Sequence, residues 1–488
     1  MALFRKKWPL SALLVLTSCM VSLPKQQQTE NLITQPTLNQ SVNESLETPF
    51  FSIGEWPSAE WWEVFNSPEL NFLIGVALQQ NPSLQEVRRR IEYAKQEAVI
   101  ARSRLFPFIS FDADDDWQYL SKNGLYRALN PNIPIAPNLI DIKLNFSYEF
   151  DFWGQNRNLF TAALGEFRAQ EAEAQEVKLV ITTAVAQSYF ALKTNILRKG
   201  LFERLAKIRE EVLNLQERLR KSALLSALPP LFSQESSRVA LQEVVGIDEE
   251  IAIDQHLLNA LTGNGPDAPL CIDATLAPLP ATIAIPRTLS LDLLARRPDL
   301  MVQIWRSKAL ADRVGAAIAD FFPNIDITAF VGFESVRALR LFSLSSATFG
   351  VKPALHLPIF TAGAIRANVR ATKAKFDAAI FEYNNLVLKS AQEVADLLVV
   401  AESIFAQKQE QEEIVRAAKA RYTIAILRLQ KGLDSLLQTY AIEEELIQRE
   451  LDDVDLLYNQ YLAAIRLIKA LGGGYLSPCI PLQAGECS

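Results

Sequence analysis

Side chains that could catalyse a reaction or bind a metal are scarce in this sequence. Its 488 residues include only two histidines, His256 and His356, and four cysteines. Neither histidine belongs to a recognisable catalytic pair, and the strings GxxxxGK, GxSxG, HExxH and CxxC do not occur. We therefore predict no catalytic residue, no metal site and no cofactor, and we do not expect an enzyme.

The cysteine at position 19 points to a different chemistry, acylation. A cluster of basic residues precedes an apolar stretch at 8–16, as in a secretory signal. The string LTSC at 16–19 resembles a bacterial lipobox, in which the cysteine becomes the first mature residue and its sulfur carries a diacylglycerol. An ordinary signal with a chance cysteine is the alternative. We interpret 1–18 as a lipoprotein signal peptide and Cys19 as the lipidation site, and Met20, in place of an aspartate, favours the outer membrane.

The composition excludes two broad classes of protein. The chain carries 49 basic and 56 acidic side chains, a formal charge of −7, so it offers no basic field for nucleic acid. After residue 16 no run approaches the ~18 apolar residues of a membrane-spanning helix. A nucleic-acid-binding protein and a polytopic helical membrane protein are therefore not expected.

The chain repeats one plan twice. Short strings recur at an offset of 216 residues around Pro107 and Pro323, and at an offset of 209 residues around Gly154 and Gly363. A period near 210 is far above the unit of a solenoid, which favours two tandem structural repeats. The predicted segments are the signal peptide, an N-terminal segment at 19–60, a first repeat at 61–262, a proline-rich linker at 263–287, a second repeat at 288–471 and a tail at 472–488.

Long helices dominate both predicted repeats. Residues 364–431 contain neither Gly nor Pro, and at ~1.5 Å per residue such a helix would reach about 100 Å. The first repeat has a similar stretch at 155–221. Apolar residues recur there at steps of three and four, as at Val394, Leu397 and Leu398, which is typical of a helical bundle or coiled coil.

Alternating residues predict strands in both repeats. From Ile140 to Phe152 every second residue is apolar and those between are polar, and 108–119 alternates in a similar way. A sheet on a soluble core is one interpretation. Thirteen residues at ~3.3 Å, tilted by about 40°, cover roughly 33 Å, more than the ~25 Å apolar band of an outer-membrane barrel. The length therefore favours a membrane wall, with β-hairpins at 108–152 and 324–360, the latter from strands near 325–333 and 349–360.

Four strands are too few to close a barrel. A sheet in lipid cannot leave its edges unpaired, and the smallest barrels have about eight strands. Several copies must therefore share one barrel, and three copies would supply twelve strands.

Five strings in this chain resemble the signatures of TolC/OprM-type outer-membrane efflux channel lipoproteins. They occur in that family's order and cover the chain from about Trp61 to Tyr475. The strings are YEFDFWG at 148–154, LLARRPD at 293–299, FFP at 321–323, LPIF at 357–360 and KALGGG at 469–474.

The resemblance implies an α+β membrane protein that assembles as a homotrimer. The family has a twelve-stranded outer-membrane β-barrel, a long periplasmic α-barrel, and an equatorial belt formed by the termini and the linker. Its members are passive exit ducts that work with a periplasmic adaptor and an inner-membrane transporter and export drugs or other toxic solutes. The alternative is the outer-membrane channel of a type I protein or peptide secretion system, which has the same architecture.

The resemblance also assigns roles to turns. Gly154 and Gly363 would be strand-to-helix turns, where a residue without Cβ lets the backbone turn sharply. Pro107 and Pro323 would mark the turns that precede the strands.

The periplasmic tip is expected where each long helix ends. Gly432 and Leu433 match the family's tip turn, and Ala223 and Leu224 occupy the same place in the first repeat, so these four are candidates for adaptor docking. Pro229 and Pro230 follow the second pair, and a kink or a longer turn is expected there.

Two residues near the tip are candidates for the pore gate. Leu437 falls where the family places an apolar constriction, and Asp434 would form a ring of three carboxylates in a trimer. Ordinary packing between helices is the alternative for both. The family's acidic residue one turn further on is Ala441 here, and its Arg-Tyr pair is displaced to Arg421 and Tyr422, which puts the usual ionic latch in question.

Overall fold

The computed structural model describes residues 38–270 and 296–476, together with positions 33, 272, 273, 275, 276, 279 and 283–286. Among these residues the chain forms two compact units. One, the sheet unit, comprises Ala101–Phe160 and Leu310–Ile380. The other, the helical unit, contains the remaining described residues after position 33.

Nine α-helices and six strands are numbered here in chain order within the described residues. The helices are α1 (Asn39–Leu46), α2 (Pro68–Gln80), α3 (Pro82–Ser103), α4 (Leu125–Leu129), α5 (Gln155–Lys221), α6 (Leu228–Leu261), α7 (Pro298–Ala319), α8 (Ala364–Gln430) and α9 (Leu436–Ala470). The strands are β1 (Phe51–Ile53), β2 (Phe108–Trp117), β3 (Asn138–Phe150), β4 (Ile283–Ile285), β5 (Asn324–Ser335) and β6 (Ala347–His356). No helix in the described ranges is both long and apolar enough to cross a membrane.

The sheet unit is built on one antiparallel sheet with the strand order β2-β3-β5-β6. Its central pair joins the two halves of the chain, because β3 pairs with β5 from Ile140 opposite Ser335 to Phe150 opposite Ile325. The outer strands β2 and β6 each pair on one side only within the described chain. The sheet therefore has two open edges.

Three strands end earlier than the alternation predicts. β3 stops at Phe150 because the Asp151 carboxylate accepts hydrogen bonds from the backbone N–H groups of Asn156 (3.0 Å) and Arg157 (2.8 Å), which turns the chain into α5. β6 stops at His356 rather than Phe360, since Pro358 has no N–H for a ladder. β2 stops at Trp117 rather than Tyr119, because Pro137 opposite Gln118 accepts a hydrogen bond but cannot return one.

One core cluster of the helical unit contains a group of packed aromatic residues. Phe190 of α5 stacks on Tyr461 of α9 with ring centroids 3.9 Å apart, and it meets Phe65 of a short 3-10 helix edge-on at 5.1 Å. Leu70 and Ile74 of α2 are fully buried in the same cluster. The early helices are thereby held against the long helices by apolar burial.

A half-buried ion pair connects the linker to this core. The Lys193 ammonium lies 2.8 Å from Glu69 and donates a 2.7 Å hydrogen bond to the carbonyl of Thr275. Burial by itself would raise the pKa of Glu69, but hydrogen bonds from Lys193 and Tyr189 lower it overall. The lowered pKa favours the ionised form of Glu69, which pairs with Lys193 and accepts a hydrogen bond from Tyr189.

A second small sheet joins segments that are distant in sequence. β1 pairs in parallel with β4, from Phe51 opposite Ile283 to Ile53 opposite Ile285. Its residues Phe51 and Ile285 are buried against α8 and α9. The segment after α1 and the linker are thus held together beside the long helices.

We predict opposite effects of the same substitution at two glycines. Gly472 has φ +89°, and a Cβ there would lie 1.8 Å from the carbonyl oxygen of Arg296, so Gly472→Ala should destabilise the protein by more than the ~1–2 kcal/mol of a left-handed residue. Gly200 lies inside α5 with open space around it, so Gly200→Ala should stabilise by about 0.5–1 kcal/mol. Thermal unfolding of the purified variants measures both changes in stability. A melting temperature of Gly472→Ala equal to that of the unaltered protein would contradict the predicted destabilisation.

Candidate functional site

The turn between α5 and α6 has a helix-ending geometry. Ala223 adopts a left-handed conformation with φ 55°, and the N–H of Leu224 donates to the carbonyl of Leu219 at 2.9 Å. This is the six-to-one hydrogen bond of a Schellman cap. The Leu224 side chain is left 73% exposed. Pro229 and Pro230 open α6, where their missing N–H groups cost nothing.

The turn between α8 and α9 has the same geometry. Gly432 has φ 71°, and the N–H of Leu433 donates to the carbonyl of Arg428 at 2.9 Å. Leu433 is 66% exposed, and Ser435 caps α9 by accepting from the N–H of Gln438 at 3.2 Å. The two turns thus each present one leucine to solvent at positions 209 residues apart.

Asp434 is held by an arginine of the same turn. The Arg428 guanidinium donates to both carboxylate oxygens, from Nε at 2.7 Å and from Nη2 at 3.0 Å. These hydrogen bonds lower the pKa of Asp434 and raise that of Arg428. Asp434 is therefore a paired carboxylate, and its charge is largely compensated within the chain.

Leu437, the other gate candidate, is half-buried on the first turn of α9. Ala441 lies one turn further and is exposed. The Asp434 carboxylate turns back to Arg428, whereas Leu437 belongs to the helix that follows.

Charged pairs further along α9 connect this helix to its neighbours. Arg204 of α5 donates to Glu443 at 2.7 Å and to Glu450 at 3.2 Å, which lie two turns apart on α9. Arg421 of α8 pairs with Glu445 at 2.6 Å, so the displaced arginine of the sequence pattern has an acidic partner.

A tyrosine adds a contact between α9 and α5. The Tyr440 hydroxyl donates to Glu211 at 2.6 Å, and this hydrogen bond to a carboxylate raises the pKa of Tyr440 to about 12. Tyr440 and Glu211 were not candidates in the sequence, because residues 229 positions apart carry no local signal of contact. Opposite charges flanking Gly432 could have indicated the Arg428–Asp434 pair.

The strand-to-helix turns lie in the sheet unit. Gly154 and Gly363 have φ +76° and +87°, conformations that favour glycine. Trp153 stacks on Phe322 with centroids 4.6 Å apart and donates from Nε1 to the carbonyl of Pro323 at 2.8 Å. The turn at Gly154 is thus connected to the residues that precede β5, Phe322 and Pro323. Pro107 directly precedes β2.

The four-stranded sheet has one apolar and one polar face. Three consecutive cross-strand rows on one face contain only apolar residues, and many are exposed, such as Phe349 at 81% and Val351 at 66%, whereas the next row carries Asp115 and Ser335 on either side of Ile140. The rows are Ile109, Phe146, Ala329 and Val351; Phe111, Leu144, Val331 and Phe349; and Ala113, Ile142, Phe333 and Ala347. The other face carries Asp112, Lys143, Glu149 and Lys352, and Lys143 pairs with Asp141 and with Glu334.

Comparison with known families identifies the class of protein. The family described as "Outer membrane efflux protein" matches residues 73–264 and 289–473, which is more than half of the chain. The chain therefore belongs to this family of outer-membrane efflux channels and is an outer-membrane protein. Cys19 lies outside the described residues, so its acylation stays a prediction.

Named relatives and solved structures agree with this family. Multidrug resistance outer membrane protein MdtP of Escherichia coli O157:H7 is 30% identical over 433 residues, which cover 86% of this chain and 87% of MdtP. The outer membrane protein VceC of Vibrio cholerae is 29% identical with a TM-score of 0.74, covering 86% of this chain and 100% of VceC. The CmeC outer membrane channel of Campylobacter jejuni is 22% identical with a TM-score of 0.82, covering 92% and 96%, and shows the same fold.

We predict that the Arg428–Asp434 pair stabilises the turn between α8 and α9 in a pH-dependent way. The pKa of Asp434 is lowered in the folded state, so its contribution to local stability is complete above the ordinary value of about 3.9 and is lost as pH falls through the lowered pKa. Hydrogen exchange of residues 429–436, corrected for its intrinsic pH dependence, should show this loss. Arg428→Gln should reduce protection already at pH 7, and unchanged protection in that variant would count against the pair.

Proposed function

We propose that three copies of this chain pool their sheets into one closed twelve-stranded barrel across the outer membrane. The observation that carries the proposal is the exposed apolar face of the sheet, on rows shared by all four strands, opposite a charged face. Such a sheet suits lipid on one side and a water-filled lumen on the other.

The open edges of β2 and β6 support the same assembly. Unpaired N–H and C=O groups cost several kcal/mol each in the absence of water, so a sheet in lipid must be closed. Pairing β6 of one copy with β2 of the next satisfies both edges in a ring. Three copies give a barrel with room for a channel.

We infer that this channel is the exit duct of a tripartite efflux pump. MdtP and MdtQ are named multidrug resistance outer membrane proteins, which supports drugs or other toxic solutes as the exported class. The helices α5, α6, α8 and α9 would continue the duct into the periplasm. A periplasmic adaptor and an inner-membrane transporter would supply the solute and the energy, and the channel itself would conduct passively.

The tip turns are the proposed docking and gating region. Leu224 and Leu433 are exposed on matching caps formed by Ala223 and Gly432, which gives an adaptor two apolar contact points per copy. In the trimer, Leu437 would form the apolar constriction and Asp434 a ring near it.

Two further proposals concern organisation and anchoring. We propose that the chain consists of two tandem repeats, supported by the matching caps and by Gly154 and Gly363, which stand at the same offset of 209. We also propose acylation of Cys19, which would add a lipid anchor to the barrel.

The barrel is tested by a cation placed on its lipid face. Val351 lies on the apolar face in the middle of β6, so Val351→Arg should cost about 2–4 kcal/mol per copy at the bilayer midplane and reduce outer-membrane insertion. Thr348→Arg is the matched control, because Thr348 lies on the polar face of the same strand. Membrane fractionation and the heat-sensitive oligomer band report insertion, and equal insertion of both variants would refute the lipid-facing assignment.

The docking proposal is tested at the two exposed leucines. Replacing Leu224 and Leu433 together by Arg should abolish drug resistance supplied by the complete pump, because each contact loses its apolar side chain and gains a charge. Trimer formation and conductance in planar bilayers should remain, since neither side chain belongs to the buried core. Full resistance in the double variant would exclude these leucines from the docking surface.

A further inference from the structure

A cavity of about 720 Å³ lies in the helical unit along α8 and α9. Four cationic side chains line it, together with two carboxylates and a buried serine. The cations are Arg297, Lys389, Arg466 and Lys469, and the carboxylates are Glu393 and Asp396. We call this cavity the basic groove. It stands out in a chain whose formal charge is −7.

Arg297 is already committed to protein partners. Its guanidinium lies 2.8 Å from Asp299 and 2.8 Å from Glu393, and it donates to the carbonyl of Ala470 at 3.0 Å. Its side chain is only 11% exposed. Arg297 and Glu393 therefore form a fixed, compensated wall of the groove.

The other three cations have no such partners. Lys389, Arg466 and Lys469 form no ion pair with any residue that the structure describes, and Asp396 accepts only a long hydrogen bond of 3.3 Å from Gln392. Arg466 and Lys469 stand one turn apart on α9, so they present their charges on one side of that helix. The groove thus keeps uncompensated positive charge.

Ser390 supplies a second observation. Ser390 is 1% exposed, yet its hydroxyl Oγ has no hydrogen-bond partner among the described residues. An unpaired buried hydroxyl costs free energy unless another group satisfies it. Ser390 lines the groove beside Lys389, so a ligand oxygen bound there could provide the missing partner.

We infer that the basic groove binds a small anion with several oxygen atoms, a phosphate- or carboxylate-bearing solute. Lysine and arginine side chains would supply charge-assisted hydrogen bonds, and Ser390 a neutral one. The inference rests on residues of the helical unit and does not depend on the proposed barrel or pump.

The test is thermal unfolding of the full chain in detergent. Inorganic phosphate and citrate are titrated separately against sodium chloride at equal ionic strength. A saturable rise in melting temperature with phosphate alone would indicate a phosphate ligand, and a rise with citrate alone a carboxylate ligand. No rise above that in chloride with either anion would overturn the inference.

Matched variants assign the effect to the groove. Arg466→Gln with Lys469→Gln should weaken anion binding by at least about tenfold, whereas Arg449→Gln, on the same helix but outside the groove, should leave it unchanged. Equal weakening in the control, or no weakening in the double variant, would overturn the assignment. Should the double variant fail to fold, Lys389→Gln and Ser390→Ala offer single changes, which should each weaken binding if the groove is the site.

Discussion

Backbone hydrogen bonding at the edges of the β2-β3-β5-β6 sheet is the constraint on which the rest of the molecule depends. The sheet exposes an apolar face and leaves β2 and β6 with one unpaired side each in the described chain. In water such edges would invite aggregation, and in lipid they would leave polar groups without partners. The proposed ring of copies would remove both problems and would allow a chain with only four such strands to form a channel.

The fold was largely predictable because its signals are local. Strict alternation from Ile140 to Phe150 allows only one register for a sheet with two unlike faces. The absence of Gly and Pro over 364–430 allows one uninterrupted helix, and glycines at 154 and 363 mark the positions where the backbone must turn. Composition and spacing were enough to find the strands and the long helices, whereas the role of the two glycines came from the family resemblance.

The candidate site was less predictable because its contacts join distant segments. Arg204 meets Glu443, and β1 pairs with β4, across more than 200 residues of chain. Many charged residues could form such pairs, and sequence spacing does not choose among them. The basic groove was unpredictable for the same reason, since its lining residues come from α5, α8, α9 and Arg297 before α7, and each is unremarkable alone.

The Arg428–Asp434 pair changes how a gate at this tip can work. In the proposed trimer, three isolated carboxylates around a narrow opening would repel one another and attract cations, but in this chain Asp434 already accepts two hydrogen bonds from the Arg428 guanidinium. The net charge of the proposed ring would therefore be close to zero while the pairs persist. Leu437 is then the stronger candidate for the barrier, because an apolar constriction excludes ions without any net charge. The contacts of Arg204 with Glu443 and of Tyr440 with Glu211 would hold α9 to α5 and so help to set the width of the proposed opening.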